Sequence, residues 1–421
     1  MKVLVIGNGA REHALAWKIL QSPRVSDVYA LPGNAGTASI ARNISLPLSD
    51  IPSIIKKSLE LRIDLVVVGP EAPLAAGIVD RFQETGIPAF GPSGAAARLE
   101  SSKLFARELM QKHGIPCAEG KSFSDYPKAR EYLEKQSAPI VVKADGLAAG
   151  KGVTVAGTLE EALKALDSIM QARIFGAAGD SVIIEECLVG KEVSLLAFTD
   201  GKTTVPMVPA CDYKRVFDGD KGPNTGGMGS YSPPGFFGKA MIKQVLNTII
   251  KPTIDAMAKA GYPYQGVLYT GLIMTTGGPK VLEYNARFGD PETQAILPRL
   301  KTDLVAIMLA VIDGTLDKLA IQWDADPCVG VVIASGGYPG NYESGLPISI
   351  SAKLEEDVSI FYAGAINSSD GRVVTDGGRV LTVTASATTM QGARDKVYRN
   401  IPHISFKGCH YRKDIALREV S

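Results

Sequence analysis

Val281-Leu282-Glu283-Tyr284-Asn285-Ala286-Arg287-Phe288-Gly289-Asp290-Pro291-Glu292 opens as a strand and ends in a turn. Apolar and aromatic residues flank Glu283, and side chains two apart on a strand share a face. Glu283, Asn285 and Arg287 therefore project one way while the strand lasts. A carboxylate beside an amide oxygen suits a hard cation such as Mg²⁺, which keeps several waters and takes its other ligands from phosphates. An arginine just beyond can grip the oxyanions that such a metal bridges. Gly289-Asp290-Pro291 then turns the chain out of the sheet. The plain alternative is a solvated strand end, but three convergent polar groups before a Gly/Pro turn favour a site.

Working outward, residues 266–274, a Thr-Thr-Gly-Gly-Pro turn and this strand read as a hairpin. Upstream, residues 139–155 read as strand, glycine-rich loop, strand. Lys143 ends the first of these strands, where a lysine is costly unless paired with an anion. The loop glycines permit close backbone approach to phosphates. It is not a Walker A loop. Three residues separate Gly146 from Gly150, Gly152 follows Lys151, and the Mg²⁺-binding hydroxyl is missing. Any metal must then be held elsewhere, and Glu283 with Asn285 offers a place. Residues 181–194 read as two strands about a short linker, against which a base can lie, with Glu192 in reach of ribose hydroxyls. Residues 222–230 read as a loop rich in glycine and in backbone donors, between charges of both signs. A helix over 239–260, kinked or divided at Pro252, follows, and 296–312 is mainly helical.

Residues 2–6 read as a buried parallel strand running into Gly7-Asn8-Gly9 and a helix over 10–20. The dinucleotide-binding fingerprint is only partial. Its third glycine is replaced by Glu12, and no acidic residue closes the second strand, where Leu31 leads into Pro32-Gly33-Asn34. Further strands at 65–68 and 87–90 end in Gly69-Pro70-Glu71 and Gly91-Pro92-Ser93. These four ends are expected along one edge of an open parallel sheet, where ligands bind. Helical patterns over 95–100 and 103–110 end at His113-Gly114-Ile115-Pro116, which sets a first boundary near 101.

Beyond residue 325, short strands at 328–334, 359–364 and 379–385 and a helix at 391–400 suggest a small β-rich domain. It shows no catalytic set and is expected to complete a wall of the site. At 421 residues, the chain is long enough for two to four domains. Apolar residues make up 45% and charged residues 21%, as in soluble globular proteins. A net charge of +1 gives no electrostatic case for nucleic acid or membrane. The five scattered cysteines suggest free thiols in a reducing compartment, and the four histidines lack zinc spacing. The opening apolar run is too short for a signal peptide and no stretch approaches a transmembrane span, so a cytoplasmic enzyme is expected.

Taken together these pieces resemble the ATP-grasp superfamily and, within it, the phosphoribosylamine–glycine ligase (glycinamide ribonucleotide synthetase) family. The resemblance rests on 7–14, 32–37, 69–74, the Lys143–Gly152 segment, 222–229 and Arg287-Phe288-Gly289-Asp290-Pro291-Glu292, all in family order across nearly the whole chain. It implies an α/β and α+β multidomain fold. An N-terminal open parallel α/β sheet (1–101) precedes a central ATP-grasp fold (102–325, lid subdomain about 120–190) and a small C-terminal β-rich domain (326–421).

The resemblance also implies roles. ATP lies in a cleft with Lys103, Lys143, Gly150, Lys151 and Gly152 at its phosphates. Glu185, Glu186 and Leu188 frame adenine, and Glu192 the ribose. Glu283 and Asn285 bind Mg²⁺, with Mn²⁺ as an alternative. Gly9, Gly33, Asn34 and Glu71 receive 5-phosphoribosylamine. Asp212, Asn224, Thr225 and Arg287 receive glycine, and Asp290 is a further substrate contact. Arg287, Lys143 and Asp212 are the expected catalytic residues, and the loop 145–152 is expected to close as a lid. The implied reaction makes glycinamide ribonucleotide through glycyl phosphate in purine biosynthesis, by a monomer or weak homodimer with small-molecule partners only. The chain departs from many members at Ala10, where they have Gly, and at Cys211-Asp212-Tyr213, where they have Gln-Asp-His. The preceding strand, Tyr269-Thr270-Gly271, offers no second metal carboxylate. A different ATP-grasp ligase or carboxylase is the near alternative, and a non-catalytic or NAD-binding Rossmann protein the far one.

Overall fold

The computed structural model describes residues 1–147, 152–351 and 353–420. Its N-terminal unit is a parallel five-stranded sheet in the order Arg42–Asn43, Asp27–Pro32, Lys2–Gly7, Leu65–Val68, Ala89–Phe90. The four strands expected from the sequence are present, and the short Arg42–Asn43 strand adds an edge. The chain winds outward to one side of Lys2–Gly7 and then to the other. The strand order therefore reverses between the ends at Gly7 and Gly69, the usual place for a crevice. The Ala10–Ile19 helix follows the first end, and the Gly94–Ser101 and Lys103–Lys112 helices leave the unit. Ser102 divides that last pair because its hydroxyl accepts from Phe105 N–H and caps the second helix.

Glu12 explains the incomplete glycine fingerprint. Its Oε2 accepts from Gly9 N–H at 2.6 Å and its Oε1 pairs with Arg11 at 2.5 Å. A Cβ built on Gly7 or Gly69 would collide with the Glu12 side chain. The carboxylate thus fills the space that a glycine-only turn leaves for a pyrophosphate, which excludes the dinucleotide reading on steric and charge grounds.

Two antiparallel sheets follow. One runs Gly120–Phe123, Val182–Glu186, Ile140–Ala144, Val153–Ala156, and the other Thr204–Pro206, Lys191–Thr199, Gly266–Thr275, Gly278–Asn285. The long hairpin 266–285 carries a bulge at Gly271–Leu272, opposite Glu283. Bulges re-aim side chains next to functional sites. The helical run at 239–259 does not break at Pro252. A π-turn over Leu246–Ile250 absorbs the disruption just before the Lys251–Lys259 helix.

The segment expected as a glycine-rich loop is largely structured. Arg215–Phe217 and Lys221–Asn224 pair as a hairpin, with left-handed Gly219 and Asp220 in its turn (φ +68° and +54°). Gly229–Ser232 is a buried strand. With Cys211–Asp212 it joins Cys328–Ala334, Arg379–Ser386 and Val358–Tyr362 in one five-stranded antiparallel sheet. The C-terminal β-rich region thus shares a sheet with strands from the middle of the chain. Among the described residues no helix is long and apolar enough to cross a membrane.

Phe288 links this scaffold to the turn quoted at the outset. It is buried, with its ring 6.3 Å from Phe90 of the parallel sheet and 6.1 Å from Phe198 of the central one. Phe288→Ala should destabilise the protein by about 3–5 kcal/mol and Phe288→Leu by less than about 1.5 kcal/mol in urea unfolding. Equal losses from the two variants would show that the ring does not plug this junction.

Candidate active site

The Gly278–Asn285 strand brings Glu283, Asn285 and, past its end, Arg287 into one cavity of about 670 Å³. Arg287 is held on several sides. Its guanidinium lies 3.0 Å from Glu100 and 3.3 Å from Glu71, and Nη2 donates to Asn285 Oδ1 at 3.3 Å. Glu100 also accepts from Ala286 N–H at 2.6 Å. Burial raises the Glu71 carboxyl, but Arg287 and Arg11 outweigh it and leave the group below its ordinary range. Burial dominates at Glu100 and pushes it up.

Lys103, Lys143, Gly152, Glu185, Glu186, Leu188 and Glu192 line the same cavity, between the two antiparallel sheets. Lys103 Nζ donates to Gly146 C=O at 2.9 Å, and burial lowers its pKa. Lys143 is ion-paired with Glu185 and donates to Leu282 C=O at 3.3 Å. Arg107 approaches Glu185 from the other side at 3.0 Å, and its Nε and Nη2 have no hydrogen-bond partner among the described residues. Glu186 is drawn outward to Lys280 at 2.8 Å. Glu192 and Asp212 share Lys214, at 2.8 and 3.1 Å. Burial alone would lower Lys214, but the two carboxylates raise it well above its usual range, so it stays charged. Asn224 and Thr225, from the hairpin, also face this cavity. Gly150 and Lys151 lie outside the described residues.

A second cavity of about 230 Å³ adjoins the first. Gly9, Gly33 and Asn34 line it from the parallel sheet, and Gly364 and Gly377 from the C-terminal region. Asn34 is fixed by three donations: its Nδ2 reaches Asn8 C=O at 2.9 Å, Gly9 C=O at 3.3 Å and Tyr362 C=O at 2.6 Å. Glu71 is not among its lining residues; it stands in the larger cavity against Arg287. The sequence grouping of Gly9, Gly33, Asn34 and Glu71 is therefore split, because Glu71 begins a helix that turns toward the central strand. Asp290, Tyr338 and Arg379 line both cavities.

Several of these residues carry no local sequence signal: Glu100, Arg107, Lys214, Tyr338 and Arg379. Glu292 was legible as part of the Arg287–Glu292 run but not as a buried acid. Its Oε1 accepts from Tyr269 O–H at 3.0 Å, and Tyr269 in turn shares a 2.7 Å hydrogen bond with Ser194. Burial, then the neighbouring Asp212, push Glu292 up to about 7.

Glu283 and Asn285 are hard oxygen donors at the strand end, and among the described residues no imidazole lines the cavity. That chemistry fits a divalent cation of the Mg²⁺ type. No group of three or more His, Cys, Asp or Glu placed to hold a metal occurs among the described residues.

Two antiparallel sheets closing on a cleft that holds Lys103, Lys143 and a strand-end carboxylate–amide pair define an ATP-grasp enzyme. Three models of phosphoribosylglycinamide synthetase match in series: the N domain over 1–100, the ATP-grasp (A) domain over 101–293 and the C domain over 328–418. The phosphoribosylamine–glycine ligase of Halalkalibacterium halodurans is 48% identical over 100% of this chain and 98% of its own. That of Nostoc sp. is 50% identical over 99% of both. The crystal structure of the Thermotoga maritima phosphoribosylamine–glycine ligase superposes with a TM-score of 0.86 at 35% identity, covering 99% of this chain and 100% of that one. The chain belongs to the phosphoribosylglycinamide synthetase family.

The raised acid gives a pH test. A carboxyl with a folded pKa above its unfolded value costs nothing while protonated in both states. Its penalty grows as pH rises from the unfolded value near 4.5 toward about 7, then levels off. Glu292→Gln should therefore gain stability relative to the parent across that window, by a few kcal/mol in all. Melting temperatures of both proteins from pH 4.5 to 8 measure this, and parallel curves would refute the assignment.

Proposed function

We propose that the protein ligates glycine to 5-phosphoribosylamine with ATP, through glycyl phosphate, to give glycinamide ribonucleotide, ADP and phosphate. The observation that carries this reading is the strand end: Glu283 and Asn285 beside Arg287, in one cavity with Lys143 and Lys103. The full-length similarity to phosphoribosylamine–glycine ligases supports it.

The chemistry explains the residues. Glycine's carboxylate is a poor electrophile, because its leaving group would be oxide. One of its oxygens attacks the γ-phosphorus of ATP, the bond to the β-phosphate oxygen breaks, and ADP departs. Nucleophile and phosphate are both anionic, so charge neutralisation and positioning supply most of the acceleration. Lys103 and Lys143 hold phosphates in this reading, with Lys143 leaving Glu185 to do so. Gly152, Glu185, Glu186, Leu188 and Glu192 line the nucleotide, and the same is proposed for Gly150 and Lys151. Arg287 stands where the glycine carboxylate meets the γ-phosphate. Asp212, with Asn224 and Thr225, attracts the glycine ammonium. Mg²⁺ or Mn²⁺, held by Glu283 and Asn285, would neutralise phosphate charge. The amine of 5-phosphoribosylamine, held by Gly9, Gly33, Asn34 and Asp290, then attacks the acyl carbon. The C–N bond forms, the C–O bond to phosphate breaks, and the amine proton leaves with the phosphate. No covalent enzyme nucleophile is required.

The same reading divides the chain at about 101 and 325, places the protein in the cytoplasm and has it act as a monomer or weak homodimer on small molecules alone. ADP and amide are measured together with ATP, Mg²⁺, glycine and 5-phosphoribosylamine. ADP release should depend on glycine; release indifferent to glycine would sink the reading. Glu283→Ala should fold normally and lose about 10²-fold or more in kcat. Unchanged turnover in that variant would refute the metal role. Chelation should abolish activity, with Mg²⁺ or Mn²⁺ restoring it.

A further inference from the structure

The two cavities meet at a wall of three side chains, Asp290, Tyr338 and Arg379. Asp290 belongs to the turn after the central strand. Tyr338 and Arg379 come from the C-terminal region, which the sequence marked as having no catalytic set. Arg379 makes the wall one unit. Its Nη1 donates to Gly226 C=O at 2.7 Å and to Asp290 C=O at 3.0 Å, and lies 3.2 Å from Asp290 Oδ1. Tyr338 O–H accepts from Gly226 N–H at 3.0 Å. Gly226 follows Asn224 and Thr225, so both side chains grip the same turn of the large cavity. Its lack of a side chain matters, since a Cβ there would lie 3.0 Å from the Arg379 guanidinium carbon. Asp290 Oδ1 is held from behind by Gln294 at 2.8 Å. One guanidinium therefore sets the distance between the Gly226 turn, the Asp290 turn and the small cavity.

We infer that Arg379 is a positioning residue that couples the two half-reactions, a role resting on the proposed ligase reading. The acyl phosphate forms in the large cavity and the amine waits in the small one. Transfer succeeds only if the amine nitrogen reaches the acyl carbon before water does. Misplacement by about 1 Å costs such a step about 10²-fold, while hydrolysis of the acyl phosphate needs no such alignment. Loosening the wall therefore acts on the ratio of products: water takes the acyl group, and ADP and phosphate accumulate without amide.

The test measures amide formed per ADP released, with ATP, Mg²⁺, glycine and 5-phosphoribosylamine at saturation, in the full-length protein. The parent should give close to one amide per ADP. R379M should lower that ratio by about tenfold or more, whatever happens to total ADP release, and R379K should lower it less because it keeps one donor and the charge. Y338F removes a single hydroxyl and should lower the ratio about two- to fivefold at an unchanged melting temperature, which keeps the test open if R379M does not fold. ADP and amide falling in step in a folded R379M, or a Y338F ratio equal to the parent's when R379M is unfolded, would overturn the inference. A parent that forms no amide from these substrates would instead overturn the ligase reading itself, so the two failures are distinct.

Discussion

The buried guanidinium of Arg287 is the constraint on which the arrangement depends. A lone charge in that position would cost several kcal/mol. Two carboxylates, Glu71 and Glu100, offset it, and each arrives on a different helix of the N-terminal unit. Glu100 also takes Ala286 N–H, so the strand end is tied by both side chain and backbone. Arg287 cannot be satisfied unless the parallel sheet and the central antiparallel sheet stand in one relative position. That position sends Phe288 between Phe90 and Phe198 and delivers Asp290 to the wall between the cavities. Geometry at the site and docking of the units are thus one problem, solved by the same ion cluster.

The N-terminal unit shows how a familiar topology is closed to one ligand and left open to another. Its strand order gives the crevice that dinucleotides use. Glu12 occupies that crevice from below, braced by Arg11 and the Gly9 amide. The opening that remains lies outward, beside Gly9, Gly33 and Asn34, and is roofed by the C-terminal region. Glu12 at the third glycine position was readable as a departure from the fingerprint. Its steric consequence was not, because it depends on Gly69 lying alongside in space.

Period-two and glycine-turn signals are local, and they located the parallel strands, the long hairpin, and Glu283, Asn285 and Arg287 on one face. They marked Lys143 as a strand-end lysine in need of an anion; that Glu185 is its partner in the structure was not legible. The hairpin 215–224 escaped because glycine content masked strand pairing, although Asp218-Gly219-Asp220 is a turn sequence in its own right. Arg379, Tyr338, Glu100 and Arg107 escaped for a deeper reason. Each has partners more than 75 residues away, Arg379 with Gly226 and Asp290, Arg107 with Glu185. A lone arginine on a strand or helix looks the same whether it meets solvent or a distant carboxylate. The C-terminal region looked free of chemistry because its contribution lies in completing groups supplied by other parts of the chain.

The two cavities differ in lining as well as position. The larger one interleaves charges of both signs, with Lys103, Lys143, Lys214 and Arg287 standing among Glu71, Glu100, Glu185, Glu192, Asp212 and Glu283. Joining a carboxylate to a phosphate brings like charges together, and those cations are the groups able to offset them. The smaller cavity is lined largely by glycine and small apolar residues with two aspartates. Among the described residues its one cationic side chain is Arg379, whose Nη1 is engaged by Gly226 and Asp290. Backbone donors there can hold a phosphate without concentrating positive charge near the nucleophile. In the proposed reaction the cations that activate the acid line one cavity and the acceptor amine occupies the other, with the wall of Asp290, Tyr338 and Arg379 shared between them.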